Sequence, residues 1–167
     1  MLDVLVALHS VDVSAVPGLA ALGKGEGYVG RQVRGWIRRL DGSRTDDTGD
    51  WSDVLGWIEE HQPADVAQVL IHNDYRFDNL VLDRGPDDPR VVAVLDWELS
   101  TLGDPIADFS YLMLNWHNPH DGRAGLEGLD LKELGIPTQD EAVERYVART
   151  GYPVPPSPAR AHPALER

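Results

Sequence analysis

Cysteine is absent from the 167-residue sequence, which excludes disulfide bonds and cysteine-ligated metal sites. No apolar run approaches the roughly eighteen residues that a membrane-spanning helix requires. The N-terminus also lacks the basic segment and apolar stretch of a signal peptide. We therefore expect a cytoplasmic protein with no membrane partner. Its 42% hydrophobic and 26% charged residues are typical of one globular domain with a real core.

Basic residues are scarce as well. The chain has 15 Lys and Arg residues against 28 Asp and Glu residues, which gives a formal net charge of −13. Binding to nucleic acid requires clustered positive charge that neutralises phosphates, so we expect no nucleic-acid partner. An acidic surface instead favours a cationic ligand such as an amine. Only two of the basic residues, Lys24 and Lys132, are lysines.

The segment from Gly18 to Gly25 nearly matches the phosphate-binding pattern G-x-x-x-x-G-K-[ST]. Gly25 replaces the Ser or Thr whose hydroxyl would bind magnesium, and Pro17 disfavours the strand that must precede such a loop. We interpret this segment, which includes Lys24, as a connection between helices.

A second segment carries a stronger chemical pattern. Residues 72–79 read His-Asn-Asp-Tyr-Arg-Phe-Asp-Asn and fit H-x-D-x-x-x-x-N, the pattern of the catalytic loop in protein-kinase-like folds. In such a loop the aspartate meets the hydroxyl that receives the phosphoryl group, and the asparagine five positions later holds a magnesium ion. Here these positions are Asp74 and Asn79.

The sequence around this loop predicts strands. Residues 69–71 form a short apolar run before the loop, and two further runs, 80–82 and 91–95, are separated by a turn-forming segment rich in Asp, Gly and Pro. Two strands joined in this way form a hairpin. Because a hairpin returns the chain to its starting point, we expect Asn79 and Asp96 to lie close together and to offer oxygen ligands to Mg²⁺.

Three motifs occur in order: the loop at 72–79, Leu-Asp-Trp-Glu at 95–98 and Gly-Asp-Pro-Ile-Ala-Asp at 103–108. Together they resemble the aminoglycoside phosphotransferase/choline kinase family over roughly residues 1 to 152. The resemblance is strongest to the branch found fused to, or near, acyl-CoA dehydrogenases. It implies ATP as phosphoryl donor, Mg²⁺ as cofactor and a small-molecule hydroxyl compound as substrate.

The resemblance also implies a role for each motif residue. Asp74 and His72 are the implied catalytic residues of the loop: Asp74 orients or deprotonates the acceptor hydroxyl, and His72 braces the loop from behind. Asn79 and Asp96 are the implied magnesium and cofactor ligands. Asp108 resembles the buried aspartate that holds the backbone of the catalytic loop in place.

The fold that follows is α+β and mostly helical: the C-terminal lobe of a protein-kinase-like fold, with a small β-hairpin carrying the catalytic loop. We expect residues 1–152 to form this partial lobe and the Pro-rich residues 153–167 to form a disordered tail. Apolar spacing predicts helices over 2–9, 28–40, 51–60, 104–116 and 139–148.

Members of this family also have a smaller N-terminal lobe with a glycine-rich loop, a lysine on a strand and a glutamate that pairs with that lysine. The residues before His72 predict helices instead, and neither lysine lies on a predicted strand. We therefore expect the chain alone to be a truncated kinase with little or no activity. Two alternatives are a non-catalytic, kinase-derived binding or regulatory module, which a separately encoded N-lobe could complete, and a gene fragment.

Overall fold

The computed structural model describes residues 1–83, 85, 90–120 and 125–155. The fold of these residues is α+β and mostly helical, as predicted. None of the described helices is long and apolar enough to cross a membrane. The elements in chain order are α1 (Leu2–His9), α2 (Tyr28–Gly42), α3 (Ser52–Glu60), β1 (Val69–Ile71), β2 (Leu80–Asp83), β3 (Arg90–Val94), β4 (Thr101–Gly103), α4 (Pro105–Met113) and α5 (Gln139–Thr150).

Strands β2 and β3 form the predicted antiparallel hairpin. Leu80 lies opposite Val94, and an irregularity in the register follows Val81. The pairing extends one step further toward the loop, because the Leu95 N–H donates to the Asn79 carbonyl at 2.8 Å. The hairpin therefore fixes the backbone at Asn79 against the residue that precedes Asp96.

Strand β1 forms a second antiparallel pair with β4, in which Val69 lies opposite Gly103. The sequence predicts β1 but not β4, whose three residues end in glycine. A Cβ atom at Gly103 would lie 2.5 Å from Ile71 Cδ1 and 2.7 Å from Tyr28 Cε2. Glycine is required at this position because two buried side chains occupy the space that any larger residue would need.

The main hydrophobic core lies between α1, α4 and α5, beneath the catalytic loop. The rings of Phe109 and Tyr146 stack in it at 4.1 Å between centroids. Tyr75 belongs both to the loop and to this core: its ring is fully buried, and its hydroxyl donates to the Met1 carbonyl at 2.8 Å. The loop is therefore anchored by the packing of its own central aromatic residue.

Helix α4 begins as the sequence predicts. Asp104 caps it by accepting the Ile106 N–H at 2.8 Å, and Pro105 occupies the first turn. The α-helix ends at Met113, and the last turn of the predicted helix is 3₁₀ over Leu114–Trp116. Of the predicted Pro-rich tail, residues 156–167 lie outside the described residues.

Candidate active site

Asp108, one turn into α4, holds the backbone at the start of the catalytic loop. Its carboxylate accepts the His72 N–H and the Asn73 N–H, each at 2.8 Å, and the residue is only 1% exposed. Asn73 has a φ of 69°, a left-handed conformation that asparagine tolerates better than most residues. Asp108 therefore stabilises the unusual turn that directly precedes Asp74.

His72 lies fully buried behind the loop. Its Nε2 lies 2.8 Å from the Leu95 carbonyl oxygen, and its Nδ1 lies 3.3 Å from the Asp74 N–H. A carbonyl can only accept and a backbone N–H can only donate, so the ring is the neutral tautomer with its hydrogen on Nε2. His72 thus links the Asp74 backbone to the residue that precedes Asp96, and its ring is too deeply buried to touch a substrate.

The Asp74 carboxylate has two neighbours. Asn79 Nδ2 donates both to Asp74 Oδ2 and to the Asp74 carbonyl, each at 2.9 Å. On the other side, Tyr111 from α4 lies near Asp74. Burial raises the pKa of Tyr111, and the neighbouring Asp74 carboxylate raises it further. The orientation of Asp74 is therefore set by Asn79, the second residue of its own motif, beside a tyrosine from outside the motif.

The two predicted magnesium ligands offer oxygen atoms that have no other partner among the described residues. The Asn79 amide uses its nitrogen for Asp74, which leaves Oδ1 available. Asp96 is exposed and has a φ of 63°, a conformation uncommon for any residue except glycine. One amide oxygen and one carboxylate are hard ligands that fit Mg²⁺, which keeps most of its remaining ligands as water or phosphate oxygens.

Within the described ranges, no group of three or more His, Cys, Asp and Glu side chains is arranged to hold a metal ion. Asn79 and Asp96 could supply two oxygen ligands to Mg²⁺.

A sequence model described as the phosphotransferase enzyme family matches residues 1–160 of this chain. The chain belongs to this family. The relationship inferred from three short motifs is thereby confirmed, and it extends over nearly the whole sequence. In this chain the Asp108 carboxylate, the loop and the hairpin form one connected unit.

Individual relatives agree with the family assignment. The chain is 37% identical over 155 residues to acyl-CoA dehydrogenase family member 10 of Mus musculus, covering 92% of this chain and 14% of that protein. It is 33% identical over 145 residues to acyl-CoA dehydrogenase family member 11 of Homo sapiens, covering 86% of this chain and 18% of that protein. The chain therefore spans less than a fifth of each of these relatives.

A solved structure gives the fold. The crystal structure of a Ralstonia eutropha protein, provisionally described as an aminoglycoside phosphotransferase, superposes with a TM-score of 0.82 at 39% sequence identity. The match covers 92% of this chain and 46% of that one. The chain thus has the kinase-like fold that its motifs predict, and it spans about half the length of this structural relative.

Sequence reasoning missed Tyr111, which lies near Asp74 on α4. Tyr111 lies three positions after Asp108, and residues three apart occupy the same side of a helix. That spacing is a usable signal, since it places Tyr111 on the side of α4 that faces the loop. Tyr28, from the start of α2, was missed too: its hydroxyl donates to Asn73 Oδ1 at 2.6 Å.

A third donor to Asp108 was also missed. His9 Nε2 lies 3.3 Å from Asp108 Oδ2, and His9 Nδ1 lies 2.7 Å from the Tyr146 hydroxyl. Because the carboxylate only accepts, Nε2 carries the hydrogen, and in the neutral ring Nδ1 accepts the Tyr146 O–H. His9, Asp108 and Tyr146 are all buried, so this network connects the catalytic loop to α1 and α5 through the interior.

Proposed function

We propose that the chain carries the phosphoryl-transfer site of an ATP-dependent kinase whose acceptor is a hydroxyl group on a small molecule. One observation supports this most directly: Asn79 bonds to Asp74 through its nitrogen and keeps its oxygen free, beside a hairpin that returns to Asp96. Asn79 thus contacts the proposed proton acceptor and offers a free oxygen to the proposed metal ion, and its carbonyl binds the N–H of the residue before Asp96.

In this proposal the acceptor hydroxyl donates a hydrogen bond to the Asp74 carboxylate. As the acceptor oxygen bonds to the γ-phosphorus of ATP, the bond to the bridging oxygen breaks, ADP leaves and the hydroxyl proton passes to Asp74. Magnesium held by Asn79 and Asp96 would offset the charge on the phosphates. His72 and Asp108 contribute position only, because both are buried behind the loop.

The metal pair is tested by titrating the chain with Mg²⁺ and following the Asn79 side-chain amide by NMR. We expect the Asn79 signal to shift on binding, and Asp96→Asn to weaken binding by about tenfold or more, because it removes the only charged protein ligand of the pair. Asp83→Asn is the matched control: it removes an exposed carboxylate from the other end of β2. Equal losses of Mg²⁺ affinity in both variants would show that binding depends only on net charge, which would contradict the proposed pair of ligands.

The chemistry is tested by transfer of labelled phosphate from Mg·ATP to a panel of small hydroxyl compounds. Asp74→Asn keeps the size of the side chain and its contact with Asn79, but it removes the carboxylate that takes the proton. General-base removal costs about 10²- to 10⁴-fold in rate. A rate of phosphate transfer that is the same in the parent chain and in Asp74→Asn would refute the proposal.

One feature favours a second candidate, a module that acts together with a partner. Large apolar side chains are exposed on both sides of Asp96: Val92 is 60% exposed, Leu95 50% and Leu99 56%. Large apolar side chains exposed within one short stretch of chain are typical of a place where another domain or chain packs. A nucleotide-binding lobe, in the same polypeptide or encoded separately, is the partner we propose for it. Binding of Mg·ATP only after addition of such a lobe would support this candidate over an autonomous enzyme.

A further inference from the structure

A groove of about 1270 Å³ runs along α2 and reaches the catalytic loop. Two acidic residues line it, Glu98 and the buried Asp108, whose carboxylate is already engaged by the loop backbone. Five basic residues line it, so the balance of lining charges is +3 (5 − 2) in a chain of −13. We call it the arginine groove after its basic residues: Lys24, Arg31, Arg34, Arg38 and Arg39.

The arginines of this groove have no carboxylate partner among the described residues. Arg31 donates instead to the backbone carbonyls of Gly25 and Glu26, and the Arg39 guanidinium lies 4.7 Å from the centre of the Trp36 ring. Four guanidinium groups on one short helix repel one another unless an anion lies between them. In a chain with 28 acidic residues, their lack of partners points to an anion from outside.

A second cleft, of about 930 Å³, provides a contrast within the same molecule. It lies near the same loop, and Tyr111 lines both spaces. Its two arginines, however, form ion pairs with carboxylates that also line the cleft: Arg76 with Asp78, and Arg145 with Asp3. Unpaired guanidinium groups are therefore not a general property of the clefts in this protein.

The spacing of the arginines suits a ligand with more than one negative oxygen. Arg31, Arg34 and Arg38 lie on one side of α2, and seven residues of helix span about 10 Å. The guanidinium group presents parallel N–H donors that match phosphate oxygens. A cationic amine, which the net charge of the chain favours, would be repelled here.

The arginine groove is connected to the catalytic residues. The Tyr28 hydroxyl, at the start of α2, donates to Asn73, the residue before Asp74. Asn73 and Tyr111 both line the groove, and Asn73 directly precedes Asp74 in the chain. A molecule bound along α2 can therefore contact the residue next to the proposed proton acceptor.

We infer that the acceptor is a hydroxyl compound that also carries a phosphate group, and that the arginine groove binds this phosphate while the hydroxyl faces Asp74. The inference rests on the proposed function, because it assumes that the groove serves the acceptor. It adds that the acceptor has a negatively charged group at a distance from the hydroxyl that reacts.

The test is calorimetric titration of the full 167-residue chain with inorganic pyrophosphate in EDTA, so that no metal ion takes part. We expect the double variant Arg34→Gln/Arg38→Gln to bind about tenfold more weakly, since it removes two exposed charge contacts. The matched control is Arg145→Gln/Arg149→Gln, which removes the same charge from α5, where both arginines already pair with Asp3. We expect a change of less than about twofold there.

A third variant blocks the groove without removing an arginine. A Cβ at Gly35 would meet no atom within 4 Å, so Gly35→Glu adds a negative side chain to the groove without a clash. Glutamate is also the better helix former, so the variant should fold at least as well as the parent. We expect it to weaken pyrophosphate binding as much as the double arginine variant does.

Competition identifies the class of ligand. Glycerol 3-phosphate should displace pyrophosphate, whereas glycerol and choline should not. Absence of pyrophosphate binding, equal losses in the two double variants, or displacement by choline would each overturn the inference. Asp74→Asn should bind pyrophosphate normally but lose phosphoryl transfer. The two measurements therefore distinguish failure of the proposed chemistry from failure of the groove.

Discussion

Replacing Tyr146 by phenylalanine isolates the buried network that supports the catalytic loop. The change removes one oxygen atom and leaves the ring stacked on Phe109. It deprives His9 Nδ1 of the hydroxyl that donates to it at 2.7 Å, and His9 is only 2% exposed, so water does not replace that donor. A buried acceptor left without a partner costs about 1–3 kcal/mol. We expect the free energy of unfolding to fall by that amount.

Removal of the Tyr146 hydroxyl should also destabilise the catalytic loop. His9 is held on one side by Tyr146 and on the other by a long 3.3 Å hydrogen bond to Asp108. Once the first contact is gone, we expect the second to weaken, because the imidazole is no longer fixed in orientation. The amide protons of His72 and Asn73, both donors to Asp108, should then exchange with solvent faster.

Urea unfolding and amide hydrogen exchange measure the two effects. Tyr152→Phe is the matched control: it removes a hydroxyl that makes no hydrogen bond to any described residue, from a tyrosine that also packs against the core. We expect the control to change the free energy of unfolding by less than about 0.5 kcal/mol. Equal losses in the two variants, or unchanged exchange at His72 and Asn73, would refute the reasoning.

Two further predictions concern packing and pH. Gly103→Ala should destabilise the fold by about 1–3 kcal/mol in thermal unfolding, because its methyl would overlap Ile71 and Tyr28, whereas Gly35→Ala, with open space around it, should be neutral or stabilising. Burial raises the pKa of Tyr75 and of Tyr146 above the ordinary value. Their contribution to stability is therefore fully present below about pH 10 and is lost as the pH rises further. In urea unfolding, the free energy of unfolding of Tyr146→Phe should therefore fall less above pH 10 than that of the parent chain.

The elements that sequence reasoning found are those specified by neighbouring residues. The helices follow from apolar spacing and from caps such as Asp104, and the β2–β3 hairpin follows from two apolar runs around a turn. The approach of Asn79 to the residue before Asp96 could be predicted because the hairpin alone produces it. The motif residues themselves were proposed from the spacing of a sequence pattern, which requires no knowledge of tertiary structure.

The parts that were missed depend on distant residues. Strand β4 exists because β1 lies beside it, and its own three residues do not specify a strand. The contact between His9 and Tyr146 joins positions 137 apart, and no local pattern indicates it. Net charge misleads in a related way, since a net charge of −13 for the chain conceals a groove in which five basic residues face two acidic ones.

The buried network also has a consequence for how the protein matures. Asp108 and the loop can meet as soon as α4 has formed, but His9 acquires its second partner only when α5 packs against α1. The catalytic loop therefore reaches this support only after the residue at position 146 has left the ribosome, when every motif residue has already been made. A nascent chain that stops before α5 would hold every motif residue yet leave His9 with one hydrogen bond, so the packing of α5 completes the support of the site.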